Sequence, residues 1–161
     1  MTSRPKARSA SAARRRIEIG GVVQGVGFRP FVYNLARRYG LTGFVSNTSR
    51  GVEIEVEGEA ARLDAFFSDL PRQAPPQAEI VSLSSVSIPP TGETSFRIEL
   101  SRSAGRAATL IAPDLALCAD CLKELFDPDD RRYRYPFINC TNCGPRYSIV
   151  TGIPYDRPAT A

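Results

Sequence analysis

The chain has 161 residues, of which 42% are apolar, and it carries a formal net charge of +4. This length allows one domain with a hydrophobic core and a small appended unit, and because no run of about 18 apolar residues occurs, a membrane span is excluded. The chain contains no histidine, which excludes Ser-His and Cys-His catalysis and every metal site that needs a histidine ligand.

The chain begins with a basic segment, MTSRPKARSASAARR, that is rich in serine, alanine and arginine. Six basic residues precede the first acidic residue, Glu18, so the remainder of the chain carries a net negative charge. A segment of this composition cannot bury enough apolar surface to fold alone. We therefore expect a disordered tail over residues 1–15. It lacks the apolar stretch of a secretory signal, whereas a transit peptide and a weak contact with a polyanion remain alternatives.

Hydrophobic periodicity defines the first half of the chain. Alternation of apolar and polar residues predicts a strand over residues 16–23. Apolar residues at helical spacing, opened by a proline and closed by a glycine, predict a helix over residues 30–39. Residues 42–46 and 52–57 are strand-like segments on either side of the turn-rich NTSRG, and they predict a hairpin.

The next elements complete a known topology. The segment EAARLDAFFSDL, at residues 59–70, has apolar residues at helical spacing and predicts a second helix that ends before Pro71. A proline-rich connector leads to two alternating segments, 79–88 and 95–100, which we expect to be strands. This order is the split βαβ or ferredoxin-like arrangement of the α+β class, with one antiparallel sheet and both helices on one face.

The composition then changes and divides the chain into units. We expect the ferredoxin-like domain to span residues 16–100 and a linker of small residues to follow at 101–110. A second, small unit over residues 111–161 contains all four cysteines.

The loop VVQGVGFRP, between the first strand and the first helix, has the features of an anion site. Gly25 and Gly27 can turn successive backbone N–H groups toward one concavity, at a helix N-terminus whose dipole favours an anion. Arg29 adds a planar fork of donors that matches phosphate or carboxylate. A plain strand-to-helix turn remains an alternative, because neither the Walker motif nor the dinucleotide fingerprint is complete.

Two segments resemble the acylphosphatase family. VQGVGFR and GFVSNTSRGVE match its xxVQGVxFR loop and its G-F/W/Y-V-x-N-x-x-x-G segment, and the resemblance spans about residues 16–100. It implies that Arg29 grips the phosphate and that Asn47, which taken alone would be interpreted as a turn residue, orients the attacking water. An acyl phosphate is an activated mixed anhydride, so its hydrolysis needs no protein nucleophile or histidine base. The implied phosphate-binding residues are Gln24, Gly25, Val26, Gly27, Phe28 and Arg29.

The cysteines form two C-x2-C pairs, Cys118 with Cys121 and Cys140 with Cys143, separated by eighteen residues. This spacing is typical of four-cysteine zinc sites, and a chain without histidine leaves an all-sulfur shell. A redox-active pair, an iron–sulfur site and two structural disulfides are the alternatives. Without an export signal we expect reduced thiolates in the cytoplasm and a small unit that needs its metal to fold.

The segment between the cysteine pairs, DPDDRRYRYPF, mixes arginines with aromatic residues, a composition that nucleic-acid stacking surfaces share. Because its three aspartates cancel much of the positive field, we expect instead that Tyr133, Tyr135 and Phe137 pack the small unit while the arginines stay solvated. We therefore expect no nucleic-acid partner.

An acylphosphatase-like domain followed by CxxC…DPxxRRYxYPFxxCxxCGPRYSI and PYDRPAT resembles the N-terminal part of the HypF family, the carbamoyltransferases of nickel–iron hydrogenase maturation. The resemblance covers nearly the whole chain after residue 16. It implies carbamoyl phosphate as the substrate, zinc as the cofactor and a hydrogenase-maturation partner protein. In the family, a second double-cysteine repeat and the adenylating and transferring domains follow. This chain stops at Ala161, so we expect it to be unable to complete the transfer alone, and the two cysteine pairs need not share one zinc.

Three functions are therefore compared. The first is the carbamoyl-phosphate-hydrolysing module of a maturation carbamoyltransferase. The second is a free-standing acylphosphatase with a zinc appendage, and the third is a zinc-dependent module that binds nucleic acid or protein and carries a vestigial phosphate loop. The presence of Arg29 and Asn47, together with the negative charge balance after the tail, favours the first two over the third.

Overall fold

The computed structural model describes residues 12–101, 116–140, 143, 144 and 151. Expectations for the first eleven residues, for the linker, and for the PRYSI and PYDRPAT segments lie outside the described residues. No helix within these described ranges is long and apolar enough to cross a membrane. The elements in chain order are β1 Ala13–Val22, α1 Phe28–Arg38, β2 Thr42–Thr48, β3 Gly51–Gly58, α2 Ala60–Arg72, β4 Glu79–Ile88, β5 Phe96–Ile98 and α3 Ala119–Phe126.

The first seven elements form the predicted ferredoxin-like fold. The sheet has the order β4-β1-β3-β2-β5; the pairs among β1, β2, β3 and β4 are antiparallel, and β5 adds to β2 in parallel. One continuous core contains the apolar face of the sheet and the apolar sides of α1 and α2, so both helices cover the same face. This core includes Ile17, Val45, Ile54, Val56, Val32, Leu35, Leu63, Phe66 and Leu70.

Strand β1 begins at Ala13, three residues before its predicted start, so two arginines assigned to the basic tail lie in the sheet. Arg14 is only 4% exposed, and its guanidinium is 2.7 Å from the Glu55 carboxylate and 3.2 Å from that of Glu57. Arg15 points to the other face and pairs with Asp64 of α2 at 2.6 Å. The composition of the tail could not reveal this, because the carboxylates that pair with Arg14 are supplied by β3, some 40 residues away in the chain.

The carboxylates beside Arg14 are held in their charged form. Burial alone would raise the pKa of Glu55, but hydrogen bonds from Arg14 and Arg16 outweigh it and hold this pKa below its ordinary value of 4.5. The pKa of Glu57 is lowered mainly by the backbone N–H of Thr91, with a further contribution from Arg14. The ion cluster therefore stabilises the fold only while these carboxyl groups remain ionised.

Other elements also differ from the sequence prediction. Helix α1 begins at Phe28 and not at Pro30, because Gly27, in the left-handed conformation, is its N-cap. Helix α2 continues through Pro71 to Arg72; a proline in the last turn forfeits a single helical hydrogen bond, and the backbone N–H of Gln73 still donates to the Asp69 carbonyl at 3.0 Å. Strand β5 has only three residues. Helix α3, which the sequence analysis did not predict, starts directly after Cys118 and places Cys121 in its first turn.

Candidate phosphate site and metal centre

The phosphate loop, residues 23–27, connects β1 to the N-terminus of α1. Gly25 and Gly27 have φ angles of 73° and 74°, in the left-handed region that glycine adopts without strain. Gly27 is the N-cap of α1, where no side-chain hydrogen bond caps the helix and the first turn carries no acidic residue. Among the described residues, no side chain caps this positive end of the helix dipole, a position that favours an anion.

Apolar side chains fix this loop to the core. Val23, Val26 and Phe28 are each at most 1% exposed, whereas Gly25 and Gly27 between them are half-buried. Burial thus alternates along the loop: the backbone at the two glycines is partly accessible, while the apolar side chains are held inside. Arg29 follows as the second residue of α1 and is half-buried, so the loop and its predicted guanidinium partner share one helix end.

Gln24 has a role that the sequence did not reveal. Its side chain is 1% exposed, and its Nε2 donates to the carbonyl oxygens of Thr48 at 2.8 Å and of Gly51 at 2.7 Å. These two carbonyls belong to the end of β2 and the start of β3. Gln24 therefore connects the phosphate loop to the β2–β3 turn, one residue beyond Asn47.

Asn47 is an unusual buried residue. It is 1% exposed, and within the described part of the chain neither its side-chain oxygen nor its nitrogen has a hydrogen-bond partner. Leaving a buried amide unpaired costs about 1–3 kcal/mol per group, so such a group usually has a function or a water partner. The preceding residue, Ser46, also has a buried unpartnered hydroxyl, but successive residues of a strand point to opposite faces.

The four cysteines converge on one point. The Sγ atoms of Cys118, Cys121, Cys140 and Cys143 all lie within 4.8 Å of one another, and three of the pairs are 3.5, 3.7 and 3.9 Å apart. A tetrahedral zinc with Zn–S bonds of about 2.3 Å holds its sulfurs about 3.8 Å apart, so the four thiols fit a single ion. None of the four cysteines forms a disulfide, and these separations are far from the disulfide bond length of about 2.05 Å.

Local hydrogen bonds shape the second cysteine pair into a turn. The backbone N–H of Cys140 donates to the Sγ of Cys143 at 3.4 Å, and the N–H of Gly144 donates to the Cys140 carbonyl at 2.8 Å. Burial raises the pKa of the Cys121 thiol far above its ordinary value, with further contributions from the neighbouring cysteines. This position therefore favours the neutral thiol until a cation displaces the proton.

The aromatic residues of the small unit do not pack it, contrary to the sequence prediction. Tyr133, Tyr135 and Phe137 are 43%, 51% and 57% exposed. The buried centre instead consists of Ile138 with two of the cysteines, and partly buried leucines from α3 and from the residue before Cys118 surround it. The cysteines themselves supply much of this small core.

One arginine of this unit is also less solvated than expected. Arg132 pairs with Glu124 of α3 at 2.5 Å and donates to the carbonyl of Asn139 at 3.0 Å. It therefore connects α3, which follows Cys118 and contains Cys121, to the residue that precedes Cys140.

Comparison with known proteins matches the two units of the chain to two family descriptions. Residues 15–98 match the Acylphosphatase family, and residues 117–150 match the HypF finger. The chain belongs to the acylphosphatase family. The acylphosphatase of Moorella thermoacetica is 41% identical, and 56% of this chain covers 98% of that protein; the acylphosphatase of Thermotoga petrophila is 35% identical, with 52% of this chain covering 93% of it.

The whole of this acylphosphatase-family chain is also similar to the N-terminal part of HypF. It is 50% identical over its full length to carbamoyltransferase HypF2 of Cupriavidus necator, of which it covers 20%. A crystal structure of full-length HypF in the phosphate- and nucleotide-bound form is 47% identical, with a TM-score of 0.89 over 96% of this chain and 20% of that one. The chain thus spans about a fifth of the length of the HypF relatives that it matches.

Proposed function

We propose that this chain hydrolyses an acyl phosphate, with carbamoyl phosphate as the substrate, as a module of a carbamoyltransferase in nickel–iron hydrogenase maturation. The observation that carries this proposal is the unpartnered, buried amide of Asn47, one residue from the turn to which Gln24 connects the phosphate loop. A polar side chain that is buried at a cost beside an anion-binding loop fits a role in holding a water molecule.

In the proposed reaction, the loop N–H groups from Gln24 to Phe28 hold the phosphate oxygens and Arg29 neutralises their charge. Asn47 accepts a hydrogen bond from a water molecule and thereby orients a lone pair of the water oxygen toward phosphorus. A new bond forms between phosphorus and the water oxygen as the bond between phosphorus and the bridging oxygen breaks. Carbamate leaves as a weakly basic anion that requires no protonation, and the proton of the attacking water stays on the phosphate product or passes to bulk water. Positioning and charge stabilisation are then sufficient for catalysis, in agreement with a chain that has no histidine.

Phosphate release from carbamoyl phosphate and from acetyl phosphate, measured side by side, tests this function. We expect Arg29→Ala to lower the rate on the order of a hundredfold or more, and Arg29→Lys to restore it only in part because lysine lacks the planar fork. Arg37→Ala is the matched control, since this exposed arginine lies in the last turn of the same helix. Wild-type rates in Arg29→Ala would overturn the proposal.

A second pair of variants tests the water-holding role. Asn47→Ala should abolish release to a similar degree, whereas Ser46→Ala, which removes the neighbouring buried hydroxyl, should leave it nearly unchanged. Equal losses in both variants would show that the strand end is merely sensitive to substitution. Equal use of carbamoyl and acetyl phosphate by the wild type would favour a generic acylphosphatase over the carbamoyltransferase module.

We further propose that the metal is zinc, with Cys118, Cys121, Cys140 and Cys143 as its four ligands. Atomic absorption on protein purified without added metal should find about one zinc per chain, and Cys121→Ser should lose most of it. A visible sulfur-to-iron absorption band would indicate that the site holds iron and sulfur in place of the proposed zinc. Folded, metal-free wild-type protein would overturn the metal proposal altogether.

The similarity to the HypF relatives supports a proposal for the wider role. We propose a cytoplasmic protein whose product, carbamate, is passed to further domains and then, as a carbamoyl group, to a hydrogenase-maturation partner protein. With labelled carbamoyl phosphate, ATP and a candidate partner, the 161-residue chain alone should release phosphate without labelling the partner. Labelling by this chain alone would refute the proposed need for further domains.

A further inference from the structure

The cysteine unit directly contacts the phosphate loop. Gly144, the residue after the last cysteine, has a φ of 68° and is buried. A Cβ built on Gly144 would lie 1.4 Å from the carbonyl oxygen of Gly25 and 2.5 Å from its carbonyl carbon. No side chain can occupy this space, so the turn of the second cysteine pair lies against the backbone of the loop.

We propose that Gly144 is a positioning residue for the phosphate loop, through which the metal-holding turn fixes the orientation of the Gly25–Val26 peptide. This inference rests on the proposed function, because it assigns the loop to phosphate. It adds that the cysteine unit influences how well the loop binds its anion.

The planarity of the peptide bond supplies the physical link. The α hydrogen that a Cβ would replace on Gly144 points at the Gly25 carbonyl oxygen, so the Gly144 Cα packs directly against this carbonyl. In a trans peptide the C=O and the following N–H point in opposite directions. Fixing the Gly25 carbonyl toward Gly144 therefore fixes the Val26 N–H on the opposite side, and this N–H is one of the proposed phosphate donors.

The turn that carries Gly144 depends on the cysteine cluster. Gly144 is bonded in sequence to Cys143, whose Sγ lies 3.7 Å from that of Cys121, and its own N–H donates to the Cys140 carbonyl at 2.8 Å. An ion held by the four thiols would fix both ends of this turn. The loop is then restrained on two sides, by the Gln24 side chain toward the β2–β3 turn and by Gly144 from the cysteine unit.

The placement of the two units agrees with an experimental structure. The superposition on full-length HypF has a TM-score of 0.89 over 96% of this chain, a coverage that requires both units to match in a common arrangement. The contact between Gly144 and Gly25 therefore belongs to a relative placement that the full-length protein also has.

Gly144→Ala and Gly92→Ala provide a matched test. Gly92 has a similar φ of 76°, but no described heavy atom lies within 4 Å of a Cβ built there. Both substitutions add a Cβ at a residue whose φ lies in the left-handed region, so the backbone strain is similar. Only the Cβ added in Gly144→Ala collides with the loop. In NMR spectra, we expect the backbone amide chemical shifts of Gly25 and Val26 to change in Gly144→Ala and to stay the same in Gly92→Ala. We expect the Kd for inorganic phosphate to rise about tenfold in Gly144→Ala alone, the loss of one hydrogen bond.

The outcomes separate the two proposals. If the wild type binds no phosphate, the proposed function fails even where the resonances move. If the wild type binds phosphate and Gly144→Ala shows neither a loop shift nor a weaker Kd, this inference is overturned and the proposed function stands. Zinc content is measured first. Should Gly144→Ala lose its metal, wild-type protein stripped with a chelator replaces it, and an unchanged loop in that sample also overturns the inference.

Discussion

The side chain of Gln24 offers the sharpest test of how the phosphate loop is held. We consider Gln24→Leu, which keeps a buried side chain of similar size and removes both donor hydrogens. The carbonyl oxygens of Thr48 and Gly51 then lose the hydrogen bonds that they accept at 2.8 and 2.7 Å. Because Gln24 is 1% exposed, water cannot replace the lost donor without opening the loop.

The expected magnitude follows from these two contacts. A buried acceptor left without its partner costs about 1–3 kcal/mol, and leucine creates no cavity that would add to this. The contact with the Gly51 carbonyl is buried and that with the Thr48 carbonyl is only partly buried, so we expect the free energy of unfolding to fall by about 2–4 kcal/mol. Gln73→Leu is the control, because this exposed glutamine donates to Asp69 at the surface, where substitutions usually change stability by less than about 0.5 kcal/mol.

Urea unfolding followed by circular dichroism measures both variants, and phosphate release is assayed at a temperature where each is fully folded. Gln24→Leu should show a lower midpoint than Gln73→Leu and a lower rate, because the loop is no longer connected to the turn beside Asn47. A Gln24→Leu midpoint within error of the wild type would refute the view that this side chain holds the loop.

Three further predictions concern charge and burial. Arg14→Ala should cost about 3–5 kcal/mol in urea unfolding, because it leaves the buried carboxylate of Glu57 without its arginine and leaves Glu55 with Arg16 alone, whereas Arg15→Ala removes one partly exposed ion pair and should cost at most about 1 kcal/mol. The folded pKa values of Glu55 and Glu57 lie below 4.5, so the stabilisation by these carboxylates is complete above that pH and is lost as the pH falls further. In thermal melts, the Tm of Arg14→Ala should therefore fall less steeply with decreasing pH than the Tm of the wild type. Asn47→Leu should raise the unfolding midpoint while abolishing phosphate release, because it removes an unpartnered buried amide; a lower midpoint would contradict this account.

The sequence predicted the fold where local patterns decide it. The period-2 and helical repeats located the sheet and both helices of the first domain, and β4 has the predicted bounds. It could not place Arg14 in the sheet, since only the pairing with β3 supplies the carboxylates that make its burial favourable. Nor could it place Tyr133 and Tyr135 at the surface, because the convergence of the cysteines is a property of the folded unit.

The site shows the same division between local and long-range information. The glycines of the loop and the spacing of the cysteines carry their chemistry in short motifs, so both could be recognised along the chain. The side-chain contacts of Gln24 and the approach of Gly144 to Gly25 join residues that are far apart in sequence. A single sequence indicates that Gly144 follows a cysteine pair, and it gives no indication of what a Cβ there would meet.

The contact from the cysteine unit acts on a loop that forms without it. The acylphosphatases of Moorella thermoacetica and Thermotoga petrophila are covered almost entirely by about half of this chain, so their length leaves no room for a counterpart of the cysteine unit. The burial of Val26 and Phe28 and the bonds of Gln24 lie wholly within the shared half. Gly144 is therefore proposed to adjust one peptide of the proposed anion site, which is why its substitution should weaken phosphate binding by a modest factor, whereas loss of Arg29 should remove most of the proposed activity.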